Sequence, residues 1–228
     1  MALFVDCCRR ANLANATVVD MGGTPKFWNL HQGFIPEGMI QEVDVVNLPV
    51  PNKYTPEGRI EMAGKVQLNI YSGNALDRST FRQPQYDIAH SISVIEHVGE
   101  HDAQALMAQN AVQSGKHYWI QTPAKSFPLE PHFMLPFFAY WPLWMRALAI
   151  RNFQLGSQHQ DKTWSNAKEH CRSIRLLSRP EVRNLFAGGV VVTERLLGIK
   201  KGYIATNMPI DVDYLKSLNG DHFSYTVS

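Results

Sequence analysis

The chain has 228 residues, of which 45% are hydrophobic and 18% charged, and its formal net charge is +2. That length and balance suit one globular domain, 1–228, built on a single core with a modest insertion. No long run of one charge sign is present, which argues against a nucleic-acid groove or a polybasic membrane patch and in favour of a small or uncharged partner.

The N-terminal MALFVDCCRRANLANAT carries Asp6 within its apolar part and arginines after it, the reverse of a secretory signal. No stretch approaches the ~18 apolar residues of a membrane span, so a cytoplasmic protein is expected. Cys7 and Cys8 are adjacent and Cys171 is distant, a spacing that makes neither a disulfide framework nor a metal site. The three are expected to be reduced and structural, and no metal is expected.

In chain order, Leu3, Phe4, Cys7, Cys8 and Ala11 fall at helical spacing and predict an amphipathic helix over 2–12, packed on the sheet edge. Next comes TVVDMGGTPKFW at 17–28, a β-branched run that ends at Asp20 and breaks at Gly22 and Gly23. It reads as a buried parallel strand entering a tight turn. Two glycines there permit positive φ and let the backbone approach a ligand closely, with Asp20 facing that ligand. A second strand, 43–48, ends at Asn47 before the break at Pro49 to Pro51. Residues 52–65, with Pro56 and Gly58, are un-helical for a crossover, and 66–71 alternates like a third strand before Ser72, Gly73 and Asn74.

A fourth strand, 86–93, leads into a turn at 94–98 carrying Glu96 and His97, then a helix over 103–112 capped by Asp102 or a polar neighbour and ending near Gly115. Residues 116–121 form the fifth strand. From Thr122 to Trp144 the pattern changes, with five prolines and seven aromatic residues in that stretch. Proline spacing forbids a helix until Pro142, after which 143–150 can form one. The polar stretch 151–178 has no clear assignment. Ser178, Arg179 and Pro180 open a helix reaching Phe186, Gly188 and Gly189 end it, and 190–197 with 202–207 read as a terminal strand pair.

VVDMGG at 18–23, VVNL at 45–48, GNA at 73–75, YDIAHSISVIEHV at 86–98 and WIQTP at 119–123 together resemble the ordered motifs of a class I S-adenosylmethionine-dependent methyltransferase, over roughly 15–207. A GxGxxG spacing is absent, since Thr24, Pro25 and Lys26 follow the glycine pair, and this argues against a dinucleotide's pyrophosphate site.

The resemblance implies an α/β fold: a Rossmann-like, doubly wound, seven-stranded sheet with a terminal antiparallel strand and a proline-aromatic lid insertion after strand five, 122–178. It implies S-adenosyl-L-methionine as cofactor, held by Asp20, Gly22, Gly23, Thr24, Phe27, Trp28, Asn47, Asn74, Ala75, Ser91 and Ser93. Asp20 would help hold the ammonium group by a charge-assisted hydrogen bond, directly or through a water. Asn47 stands where the family commonly places an acidic residue for the ribose hydroxyls, and an amide oxygen accepts only part of that donation. Asn74 would accept from the adenine amine. Methyl transfer needs a positioned nucleophile and removal of its proton, tasks for His97 or for Glu130 and His132. His97 also reads as a structural histidine, and the Glu130 and His132 loop as one held by its own hydrogen bonds.

Phe127, Phe133, Tyr140 and Trp141 would wall the substrate, in a segment that also reads as a small extra core, a dimer surface or a peripheral membrane contact. The activity implied is methyl transfer to a small molecule or saccharide, glycolipids included, by a monomer or homodimer. The same motifs also fit a cyclase that uses S-adenosylmethionine as substrate, giving azetidine-2-carboxylate and methylthioadenosine. A cofactor-sensing protein and a nicotinamide oxidoreductase are further readings.

Overall fold

The computed structural model describes residues 1–49, 58–130, 132–156, 163–220 and 222–227, with the backbone alone at Glu130. Residues 50–57 of the expected break and crossover lie outside the described residues. The chain opens with α1 (Ala2–Arg10), then runs through β1 (Ala16–Met21), α2 (Pro25–His31), β2 (Ile40–Asn47), β3 (Arg59–Ala63), β4 (Val66–Ser72) and β5 (Tyr86–Ile92). It continues with α3 (His101–Ser114), β6 (Gly115–Pro123), the short pair β7 (Leu129–Glu130) and β8 (Leu135–Pro136), α4 (Leu143–Asn152) and α5 (Trp164–Arg172). Last come α6 (Arg179–Leu185), β9 (Val190–Leu196), β10 (Ile199–Thr206), α7 (Val212–Ser217) and β11 (Phe223–Val227).

The main sheet has nine strands rather than the expected seven, in the order β11-β9-β10-β6-β5-β1-β2-β4-β3. Its centre, β4 through β6, is parallel, and β10 is inserted antiparallel between β6 and β9 as the terminal strand pair leads one to expect. The two extra strands lie at the edges. β3 folds back antiparallel on β4, occupying part of the expected un-helical crossover, and β11 pairs with β9 beyond the reach of the recognisable motifs.

Successive residues of β1 serve opposite faces, as the pleat requires. Val18 joins a cluster with Phe4, Cys7 and Cys8 of α1, and Val19 joins one with Met107, Ala108 and Ala111 of α3. Helix α1 therefore covers the central strands rather than the sheet edge. Phe4 meets Trp119 and His90 edge-on, and burying such a ring contributes on the order of 2 kcal/mol. Cys7, Cys8 and Cys171 are free and buried. Burial pushes the Cys7 and Cys8 thiols up to about 12, which fits structural rather than reactive roles. Asp102 sits in the first turn of α3 and does not cap it; Glu100 occupies the cap position.

The described residues between Ala124 and Leu177, the lobe, gather around an apolar cluster separate from those on the sheet. Ala124 and Leu177 bridge each other where the chain leaves the sheet and returns, and Phe133, Phe138, Ala147, Ile150, Ala167 and Cys171 make a separate apolar cluster inside. Within the stretch that lacked an assignment, α5 starts at a Thr163 cap whose hydroxyl accepts from Asn166 N–H. No helix among the described residues is long and apolar enough to cross a membrane.

Helix α6 begins with a capping box: the Ser178 N–H and hydroxyl both donate to Glu181, which also meets Arg175 at 2.5 Å. Burial alone would raise the Glu181 carboxyl, but these bonds outweigh it and hold it at about 2. Its unfolded value is about 4.3, so its contribution is complete above that range and lost as pH falls through about 2. E181Q is expected to lower stability by about 1 kcal/mol at neutral pH, with the gap to wild type closing near pH 2 in thermal melts.

Candidate functional site

The carboxyl ends of β1, β2, β4 and β5 open onto one cleft of about 350 Å³. The chain leaves β1 for β2 on one side, while β5 lies on the other, so the cleft sits at the sheet's switch point. Gly22, Asn47, Asn74, Ala75, Ser93 and His97 line it, all of them marked in the sequence. Leu48, Leu76, Val94 and Val98 supply its apolar walls and were not marked, although each neighbours a marked residue.

The turn after β1 is pressed between two parts of the protein. Gly22 has φ +74°, and a Cβ there would lie 2.5 Å from Val94 Cγ1. A Cβ on Gly23 would fall 1.8 Å from Asp20 Oδ2. The glycine pair thus makes room for the chain's own side chains as well as for a ligand. Asp20 is buried and turned beneath the turn, not toward the cleft. Trp28 Nε1–H donates to Asp20 Oδ2 at 2.8 Å, and His90 Nδ1 lies 2.8 Å from Asp20 Oδ1. Asp20 therefore ties α2 and β5 to the glycine turn, and an ammonium group would not meet its carboxylate directly. His90 was missed; its signal was a lone histidine inside an apolar strand paired with β1. Trp28 is fully buried in this knot, Phe27 meets Trp28 edge to face and tilts against His90, and Thr24 is the exposed cap residue of α2.

Asn47 Nδ2 donates to the carbonyls of Gly22 and Gly23 at 3.3 and 3.1 Å, and Leu48 N–H donates to its Oδ1. The Asn47 amide is thus a strut for the glycine turn, with its oxygen accepting from Leu48 N–H. A carboxylate could not donate to those carbonyls. Asn74 Oδ1 likewise accepts from Leu76 N–H, closing a small turn that holds Ala75 at the cleft wall. Ser91 is buried and donates to the Met21 carbonyl, bracing the strand ends, whereas Ser93 reaches the cleft with φ +54°, a left-handed conformation unusual for a serine.

His97 and His132, marked separately in the sequence, come together. Their rings meet edge to face with centroids 4.6 Å apart. Glu96 is buried between them and the sheet: Thr122 Oγ1–H donates to its Oε2 at 3.0 Å, and its Oε1 lies 3.9 Å from His132 Nε2. Gln104 Nε2 donates to the carbonyls of Ile95 and Arg175, and Arg175 N–H donates to the Glu96 carbonyl. This turn is therefore fastened to the segment that returns from the lobe. The Glu130 side chain lies outside the described residues.

Two of the four expected wall residues serve a small extra core, the alternative the sequence offered for this segment. Phe133 is buried in the lobe's own cluster, Trp141 packs against that cluster, Phe127 is half-buried, and Tyr140 is exposed. No aromatic side chain lines the described cleft. A second hollow, of about 220 Å³, lies against the lobe and is lined in part by Lys125, Arg146, Arg172 and Arg175.

No protein-family model and no curated protein matches the sequence. Several solved structures are similar. An O-methyltransferase family protein from Burkholderia thailandensis is 14% identical, with a TM-score of 0.49 over 91% of this chain and 54% of its own. LepI in complex with SAM is 9% identical, with a TM-score of 0.46 over 85% of this chain and 43% of its own. A SAM-dependent methyltransferase from Thermotoga maritima, described as a possible histamine N-methyltransferase, is 14% identical, with a TM-score of 0.45 over 91% and 90%. The chain spans about half the length of the first two.

Two stability measurements check the knot. D20A strips the partners from two buried groups and is expected to cost about 3 kcal/mol in urea unfolding. N47D sets a carboxylate against two carbonyl oxygens and is expected to lower stability by about 1–3 kcal/mol in the same assay.

Proposed function

We propose that the protein is an S-adenosyl-L-methionine-dependent methyltransferase acting on a small molecule or saccharide, lipid-linked saccharides included. The observation that carries this reading is the convergence, in one cleft at the switch point, of Gly22, Asn47, Asn74, Ala75, Ser93 and His97 from four strand ends. These are residues of the motifs that resemble the family. The cleft also fits the cofactor chemically. It combines a close-approach glycine, two side-chain oxygens each keeping a lone pair, and the apolar faces of Leu48, Leu76 and Val94 for a flat base.

S-adenosyl-L-methionine supplies a sulfonium methyl that passes in line to a nucleophile, leaving S-adenosylhomocysteine. The chain's tasks are to hold and orient. The Gly22 turn, kept in place by Asn47 and by the Asp20 knot, receives the aminoacyl end through backbone groups. Asn47 and Asn74 accept from the ribose and adenine. His97, at the cleft's edge beside His132, is placed to take the acceptor's proton.

The exposed Phe137, Tyr140, Trp144 and Phe153 favour an acceptor with an apolar part, since rings outside any core meet what arrives from solution or a membrane surface. The lobe is then the lid over the acceptor. Cyclisation of the cofactor would call for an aromatic enclosure around its aminobutyrate arm, and the described lining offers none.

Calorimetry with S-adenosylhomocysteine is expected to show one site of micromolar affinity. G22A forces a Cβ into a positive-φ turn and is expected to weaken it at least about tenfold. Incubation with labelled S-adenosyl-L-methionine and a panel of hydroxylated small molecules and saccharides should then give labelled acceptor. Methylthioadenosine formed without any acceptor, or absence of S-adenosylhomocysteine binding, would overturn the reading.

A further inference from the structure

We infer that Glu96, His97 and His132 form a binding site for one divalent transition-metal ion at the edge of the cleft. Each offers one ligand atom, and the three atoms lie within 4.8 Å of one another. They come from two segments far apart in sequence: the turn after β5 and the loop after β6. Four-coordinate zinc bonds of about 2.1 Å require ligand atoms roughly 3–4 Å apart, so side-chain rotation of about 1 Å closes the set. Two imidazoles and one carboxylate make a borderline-soft donor set that favours zinc, iron or cobalt over magnesium.

The surroundings support the three ligands. Thr122 Oγ1–H holds the far oxygen of Glu96, as the partners of metal-ligating carboxylates do, while Oε1 lies toward His132. The His132 backbone is fixed against Gly156, where a Cβ would come 2.4 Å from the His132 carbonyl oxygen. Glu96 is anchored through its carbonyl by Arg175. Three protein ligands leave at least one coordination position open, the arrangement of catalytic rather than structural sites. His97 lines the cleft, so an oxygen of the acceptor can take that position and lose its proton more readily; with the ion bound His97 is a ligand, and the ion replaces it in activating the acceptor. This role in methyl transfer rests on the function proposed above; the ion's site does not.

The sequence had suggested no metal, because its cysteines were the visible candidates and a histidine 35 residues from an adjacent Glu-His pair is no recognised spacing. The test is calorimetric titration of Zn²⁺ into chelator-stripped full-length protein, with Mg²⁺ in parallel and Co²⁺ absorption as a report on the ligand set. One tight equivalent of Zn²⁺ is expected, uncompeted by Mg²⁺. H97A and H132A should each weaken it at least about tenfold and reduce the Co²⁺ ligand-field bands. H101A, which removes an exposed histidine of α3, should leave both unchanged. Absence of a one-equivalent site, wild-type affinity in both H97A and H132A, or an equal loss in H101A would overturn the site. S-adenosylhomocysteine titrated into the same stripped sample separates the two proposals: its binding without Zn²⁺ binding sinks only the metal site, and the converse sinks only the methyltransferase.

Discussion

A buried carboxylate under a glycine turn is the constraint on which the site depends. Asp20, next to last in β1, faces inward, where Trp28 from α2 and His90 from β5 meet its two oxygens. Burying a carboxylate costs several kcal/mol unless its oxygens are satisfied, and here both are. The same oxygens occupy the space a Cβ on Gly23 would need. Position, charge and turn geometry therefore support one another, and loosening any one loosens the cleft floor. Asn47 adds a brace from β2 by donating to both glycine carbonyls.

Around this knot the sheet supplies direction and the lobe supplies surface. Parallel strands bring four carboxyl ends to one side, so short segments distant in sequence deliver backbone and side-chain groups to a common cleft. The chain between Ala124 and Leu177 leaves the sheet and rejoins it at a bridge. It buries enough of its own apolar side chains to hold a shape, yet it exposes Phe137, Tyr140, Trp144 and Phe153.

Glu96, His97 and His132 gather where the turn after β5 meets the lobe. The turn carrying Glu96 and His97 is fixed to the lobe's return segment through Gln104 and Arg175, and the lobe sends His132 back to face it. The histidine pair above a buried carboxylate serves either as the proposed proton acceptor or as ligands of the proposed ion, since a ring nitrogen bound to a metal no longer accepts a proton.

The central strands, the glycine turn, α1, α3, α6 and the antiparallel pair β9 and β10 were all legible in the sequence, because each rests on local signals: apolar periodicity, turn residues and caps. So were most of the residues that line the cleft. Two edge strands and α5 were not, since their formation depends on neighbours to pair with or pack against, and short polar segments carry weak patterns. The side-chain directions also escaped. Asp20 was expected to face a ligand, and only the packing of Trp28 and His90 against β1 turns it inward. Phe133 was expected at a wall or in a small extra core, and the closure of the lobe on itself decides for the core. The sequence by itself determined which residues reach the strand ends. Tertiary structure decided which of them face the cleft and which two histidines meet, because those outcomes depend on contacts between segments that no local pattern encodes.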